Sequence, residues 1–359
     1  MRELNYWASL FFAHYPLPIT HYSLRIAACL ALCMVAASPS PARALDSSQL
    51  AVIVNTLDPL SVQIGEYYAA KRRILFQNII KVGFTPGNTA LTSKEFGVIK
   101  TAVDQQASKR VQAYALTWAA PYRVECMSIT SAFAFGFDPA FCNNGCKPTR
   151  PSPYFNSRAR LPFTQLGMRP TMAIAATSFE QAKALIDRGV ESDGTKPAGT
   201  AYLLSTSDNL RNVRNASYPL VAKLFKDRIR VRTLRQDGLM NAHDVLFYFI
   251  GKAHVDGLET LHFVPGAIAD HVTSAGGLLT DSSQMSALRW LEAGATGSYG
   301  TVTEPCNLPQ KFPNPVVVTG VYLRGETLIE AYWKGVAMPG QGIFIGEPLA
   351  APFARVMVH

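Results

Sequence analysis

The stretch "DVLFYFIG" at 244–251 is apolar at every position from Val245 to Ile250. Side chains alternate between the two faces of a strand, so such a run is tolerated only where both faces are covered. That places it centrally in a mostly parallel sheet with helices on either side. Around it, strand-like and helix-like patterns alternate. "LAVIVN" (50–55) leads into a helix opened by Asp58 and Pro59, a good cap and first-turn pair. "NIIKVGF" reads as a strand, "TSKEF" as a helix start with Thr92 and Glu95 as a capping box, and "KRVQAYALTWAAP" as a strand. Later come a helix capped by Ser178 and Gln181, the strand "GTAYLLST" and the helix "YPLVAKLF". "SQMSALRWLEAG" reads as a helix ended by Gly294, "ATGSYGTV" as a small-residue strand and "GETLIEAYWKGVA" as a last helix. This alternation predicts an α/β fold, doubly wound, with a mostly parallel sheet and helices on both faces. No internal repeat stands out.

Residues 121–175 break the rhythm. They hold three cysteines among prolines and small residues, and read as a disulfide-containing insertion into a single domain spanning 45–359. Residues 1–44 read as an N-terminal extension and signal peptide. Arg25 precedes the apolar run "IAACLALCMVAA", and Ala42-Arg43-Ala44 forms a small-residue cleavage site. The expectation is export, to the periplasm or beyond the cell, with cleavage near Ala44. The apolar run is too short for an ordinary transmembrane helix, and no stable membrane anchor is expected.

After that segment four cysteines remain: Cys126, Cys142, Cys146 and Cys306. An even number in an oxidising compartment suggests two disulfides, with three possible pairings. "CNNGC" could close a small loop through Cys142 and Cys146, leaving Cys126 for Cys306. The C-x3-C spacing with no nearby histidine gives little support to zinc, and no metal is expected.

Composition excludes several classes. With 48% apolar and 16% charged residues, the chain is a packed globular protein. The formal charge of +9 falls to +7 without Arg2, Arg25, Arg43 and Glu3. Arg228, Arg230, Arg232 and Arg235, with Arg211 and Arg214 upstream, could form a cationic surface for acidic partners. Alternation along "RIRVRTL" instead suggests a half-exposed edge strand whose arginines are solvated. Nucleic acid is not expected of an exported chain. There is no G-x-x-x-x-G-K-[ST] and no G-x-G-x-x-G after the first strand, so no cofactor is expected. No G-x-S-x-G occurs, which disfavours an ordinary α/β-hydrolase.

The remaining candidate centre is "HFVPGAIADHVTSAGG" (262–277), together with His254 just past the central strand. Ligands of open α/β sheets gather at the carboxyl ends of strands. His254, Asp270, His271, Thr273 and Ser274 offer the residue types for general-base activation of a hydroxyl. The alternative is a segment turning into a helix or loop, with Asp270 and Ser274 as caps and His271 bonded to backbone. Trp118, Tyr122, Tyr299 and Glu304 are candidates to line a binding cleft.

Over roughly 50–353 the chain resembles a family of exported bacterial proteins from genomes that carry the PEP-CTERM/exosortase sorting system. The residues carrying the resemblance are "VIVN", "IGEYYAAKR", "YLLSTSD", "FVPGAIADHVTSAGG", "ALRWLEAGATGSYGTVTEP" and "EAYWKGVAMPGQGIFIGEPLAAPF". The order of elements also distantly resembles the caspase-like sheet of gingipain-type cysteine peptidases. "GATGSYGTVTEP" and "IGEP" match its later parts, and "FYFIGKAHVDG" resembles its histidine strand. The glycine after that histidine is missing, because Val255 follows His254, and "FVPGAIADHVTS" holds no cysteine where the nucleophile should be. The resemblance thus implies a non-catalytic binding or accessory protein of the envelope, with a peptide, protein or glycan as partner. The alternative is a peptidase-like hydrolase that uses the His/Asp/Ser-Thr constellation instead.

Overall fold

The computed structural model describes residues 44–143 and 146–355. The expected N-terminal extension and signal peptide, up to Arg43, lie outside the described residues. From Ala44 onward the chain forms one compact unit. Its N-terminal part runs β1 (Leu50–Asn55), α1 (Pro59–Arg72), β2 (Ile79–Val82), β3 (Ala90–Leu91), α2 (Ser93–Gln106), β4 (Ala113–Leu116), β5 (Arg123–Val124), β6 (Met127–Ser128), α3 (Ile129–Phe135), α4 (Pro162–Leu166) and β7 (Thr171–Ala173). Then follow α5 (Phe179–Ser192), β8 (Thr200–Ser205), α6 (Tyr218–Phe225), β9 (Arg230–Arg235), β10 (Val245–Gly251) and β11 (Phe263–Val272). The chain ends with α7 (Leu288–Glu292), β12 (Gly297–Thr301), α8 (Pro315–Leu323), α9 (Leu328–Gly335) and β13 (Gly342–Gly346).

A ten-stranded sheet has the order β2-β1-β4-β7-β13-β12-β11-β10-β8-β9. Every neighbouring pair is parallel except β12 and β13. The sheet therefore consists of two parallel halves of opposite sense. Within each half the strands follow the order second, first, third, fourth, fifth along the chain, one of the two common doubly wound orders. The halves share an architecture with no evident repeat in sequence. The fifth strand of the first half, β13 (Gly342–Gly346), follows all of the second half along the sequence, so the first half is completed by a segment that comes after the second.

Local signals explain the helix starts. Asp58 accepts a bond from the Leu60 amide, and Thr92 with Glu95 forms the capping box. Ser178 accepts from the Gln181 amide, but the Gln181 side chain turns to Thr177. Strand β10 is buried throughout. Its Phe247 and Phe249 join the main core, while Tyr248 and Ile250 join a smaller one with Tyr202, Leu204 and Trp290. Both faces are covered, as its composition requires. β9 is an edge strand with half-exposed and exposed positions, as the arginine alternation predicts.

Three expectations need correcting. The segment 263–272 is a full strand, β11, and neither a turn nor a helix start. Pro265 and Gly266 are absorbed in a bulge. The register with β10 shifts between Val245, opposite Phe263, and Phe247, opposite Ile268, and Gly266 takes a φ of 87°. The disulfides join Cys126 to Cys142 and Cys146 to Cys306, with Cα separations of 5.7 and 5.2 Å. The first fastens the insertion to itself, and the second ties it to the loop after β12. Finally, Arg214 is not a surface residue. It is buried with Asp270, whereas Arg228, Arg230, Arg232 and Arg235 are exposed.

Candidate functional site

The five candidate catalytic residues lie on β11, on the turn that follows it, and past β10, but they do not form one hydrogen-bonded set. Asp270 is buried, and its carboxylate takes the guanidinium of Arg214 and, at 3.4 Å, the Tyr332 hydroxyl. Burial pushes the Asp270 carboxyl above its ordinary pKa, and the Arg214 charge opposes that rise. Arg214 also donates to the carbonyls of Ile250 (3.1 Å) and Pro313 (3.3 Å). The acid is thus consumed by an ion pair that stitches β10, β11 and the loop before α8 together.

His271 points away from Asp270, as the next residue of a strand must. Its Nδ1 lies 2.8 Å from the indole nitrogen of Trp290, and its Nε2 lies 3.0 Å from the carbonyl of Met285. An indole can only donate, so Nδ1 is the acceptor and the proton sits on Nε2. Burial pulls the imidazole pKa down to about 3, against the opposing effect of the Met285 bond. The ring is a neutral core residue with both nitrogens engaged. His254 is exposed and has no hydrogen-bond partner among the described residues. Thr273 is buried and donates to Gln284, and the carbonyls of Thr273 and Ser274 both accept from Thr301 at 3.0 Å. Neither histidine is hydrogen-bonded to a hydroxyl.

The expected cleft-lining aromatics are interior. Trp118 donates to the Pro121 carbonyl and packs edge-on against Phe84 and Phe133. Tyr122 bonds Asp281, and Tyr299 bonds the Lys311 carbonyl. All three rings are almost fully buried. Glu304 alone is exposed, and its carboxylate accepts from the Cys306 amide at 2.7 Å.

At the two points where strand order reverses, the strand ends are closed by the chain itself. In the second half the reversal of strand order falls between β8 and β10. There the loop 206–214 lies on Gly251 so tightly that a Cβ at that position would sit 2.1 Å from the Arg211 carbonyl oxygen. In the first half the reversal falls between β1 and β4. It is filled by the hydroxyls of Ser61 and Thr117, 2.6 Å apart, beneath α1.

Open space lies elsewhere. A groove of about 810 Å³ runs past the amino ends of β8 and β9 and is lined by Lys196, Lys226, Arg228, Arg230, Asp227 and Asp244 among others. Arg230 pairs with Asp244 at 2.9 Å, and Arg228 donates to the Leu323 carbonyl. Lys196 and Lys226 have no ion pair among the described residues. The arginine run signalled this surface. The two lysines come from separate loops, and nothing in their local sequence joins them to it.

A second polar cluster escaped the sequence reading. Glu347, from "IGEP" at the end of β13, is fully buried. It accepts from Tyr68 (2.7 Å), from Arg72 and from the Leu349 amide (3.2 Å). Arg72 also reaches Asp193. With all of its partners in place, this cluster joins α1, α5 and the C-terminal segment.

Among the described residues no group of three or more His, Cys, Asp or Glu side chains could hold a metal, and no helix is long and apolar enough to cross a membrane. What fold and site define is a disulfide-bonded α/β protein with two inverted parallel half-sheets and an open basic groove. No protein-family model, curated protein or solved structure matches the chain.

Proposed function

We propose that this chain is an exported, envelope-associated binding or accessory protein. In this reading it is a non-catalytic relative of the caspase- and gingipain-like peptidases, and it binds an extended acidic peptide segment of a protein partner. The observation that carries the proposal is the basic groove and its continuation into an open sheet edge. Among the described residues β9 pairs only with β8, so its outer backbone edge is open to another strand. Arg230 and Arg232 flank that edge, and Lys196 and Lys226 add positive charge with no ion pair among the described residues. An acidic strand would satisfy both demands, whereas a glycan would use only the charges. The two disulfides support an oxidising compartment. The resemblance to exported proteins of PEP-CTERM/exosortase genomes supports the envelope setting. A hydrolase would need a base beside Thr273 or Ser274, and neither His254 nor His271 supplies one.

Fluorescence anisotropy with a labelled Glu- and Val-rich decapeptide tests the proposal. Saturable binding should weaken at least tenfold in Lys226→Glu/Arg232→Glu, and also on raising salt from 0.05 to 0.5 M, as about 10 Å screening predicts. The peptide should remain uncleaved. Equal binding by the double variant, or binding of polygalacturonate but not of the peptide, would overturn the peptide reading.

A further inference from the structure

A second cavity, of about 270 Å³, lies between α5 and α7 at the carboxyl end of β7. Its walls are largely apolar, formed by Ala175, Ala176, Ala184, Leu185, Leu288 and Leu291, with Glu180, Gln181 and Glu292 also lining it. One cation, Arg188, stands in it. Its Nε donates to the Ala295 carbonyl at 3.1 Å, and its Nη2 donates to Leu291 and Ala295 at 2.6 and 2.7 Å. All of these acceptors are neutral carbonyls. Among the described residues no carboxylate comes within ion-pair distance of Arg188, and its Nη1 has no partner. Burial pulls the Arg188 pKa down to about 10, with no acidic neighbour opposing it. A half-buried guanidinium without a counter-ion is costly, and the fork geometry of arginine suits a carboxylate.

We infer that this cavity binds a small aliphatic monocarboxylate, held by Arg188 through its carboxylate and by Leu185, Leu288 and Leu291 through its carbon skeleton. The volume falls below the ~300–1,000 Å³ of pockets for larger ligands, so the occupant is small. Glu180 and Glu292 line the same cavity, and Glu292 is already paired with Arg289 at 2.7 Å. With one free cation and two acids, the site disfavours dicarboxylates and phosphates. Glu180 has no ion pair among the described residues and stands where an ammonium could meet it. The ligand is therefore either a simple branched carboxylate or an amino-acid zwitterion. The site is separate from the basic groove, and neither inference depends on the other.

Calorimetric titration of the disulfide-intact protein distinguishes these cases, using 4-methylpentanoate, L-leucine and the neutral 4-methylpentanamide as probes. Saturable binding of 4-methylpentanoate, with the amide at least tenfold weaker, is the expected result. Leucine binding at least as tightly would assign the ammonium to Glu180, and failure of leucine alone would assign a simple carboxylate. Arg188→Gln should weaken binding at least tenfold. Because Arg188 also holds the Leu291 and Ala295 carbonyls at the end of α7 and just past it, Ala184→Phe is the second variant: it fills the cavity and leaves those bonds alone. It should abolish binding while its thermal melt stays close to wild type. No binding of either carboxylate, equal binding of the amide, or unchanged binding by Ala184→Phe would reduce Arg188 to a cap for α7 and overturn the inference.

Discussion

Arg214 and Asp270, 56 residues apart, form an ion pair whose side chains are 2% and 1% exposed, within the second half-sheet. Removing one partner of such a pair leaves a buried charge and typically costs about 3–5 kcal/mol. Arg214→Met should therefore be far less stable to urea than wild type. Arg214→Met/Asp270→Asn should recover part of the loss, since the orphaned charge goes with it. If the single variant unfolds at the wild-type midpoint, the pair has no structural role.

His271 makes stability depend on pH. Its folded pKa of about 3 lies below the ordinary 6.5, so the unfolded chain takes up the proton first. The stabilisation is complete above about pH 6.5 and is lost as pH falls towards 3, at up to about 1.4 kcal/mol per pH unit. Unfolding free energies measured from pH 7 to pH 4 should fall less steeply for His271→Gln than for wild type. Parallel curves would show that the imidazole is not held neutral.

The two disulfides should differ in worth. Cys126–Cys142 spans 16 residues and Cys146–Cys306 spans 160. Loop-closure entropy gives about 3 kcal/mol for the short link and about 5 for the long one. Urea denaturation of Cys142→Ser/Cys126→Ser and Cys146→Ser/Cys306→Ser should rank them in that order. Equal losses would place the effect in the folded state.

Two glycines should respond oppositely to alanine. At Gly300 in β12 a Cβ would meet the Gly276 backbone at 2.4 Å, so Gly300→Ala should cost at least about 1–3 kcal/mol. Gly97 lies within α2 with nothing near its Cβ direction, and Gly97→Ala should stabilise by about 0.5–1 kcal/mol. Thermal melts of the two variants check both signs.

Much of the fold was legible because it rests on local rules. The caps at Asp58, Thr92 and Ser178, the doubly buried run of β10 and the arginine alternation of β9 each state their environment within a few residues. Short β7 and β13 carry too few residues for a period to show. Pro265 and Gly266 imitate a break because bulges and turns use the same residues.

The chemistry of the candidate site was not legible. Sequence can count Asp270, His271, Thr273 and Ser274, but it cannot say which way a strand faces or what covers it. Only the tertiary structure decided that Arg214 consumes the aspartate, that Trp290 and Met285 consume the imidazole, and that Trp118, Tyr122 and Tyr299 lie inside. It also decided the cysteine pairing and brought Lys196 and Lys226 to the arginines of β9. Periodicity, caps and composition are written along the chain, and the sequence alone determined them. Partners and solvent access depend on contacts between residues tens to hundreds of positions apart, which exist only once the sheet and the segments packed on it have assembled.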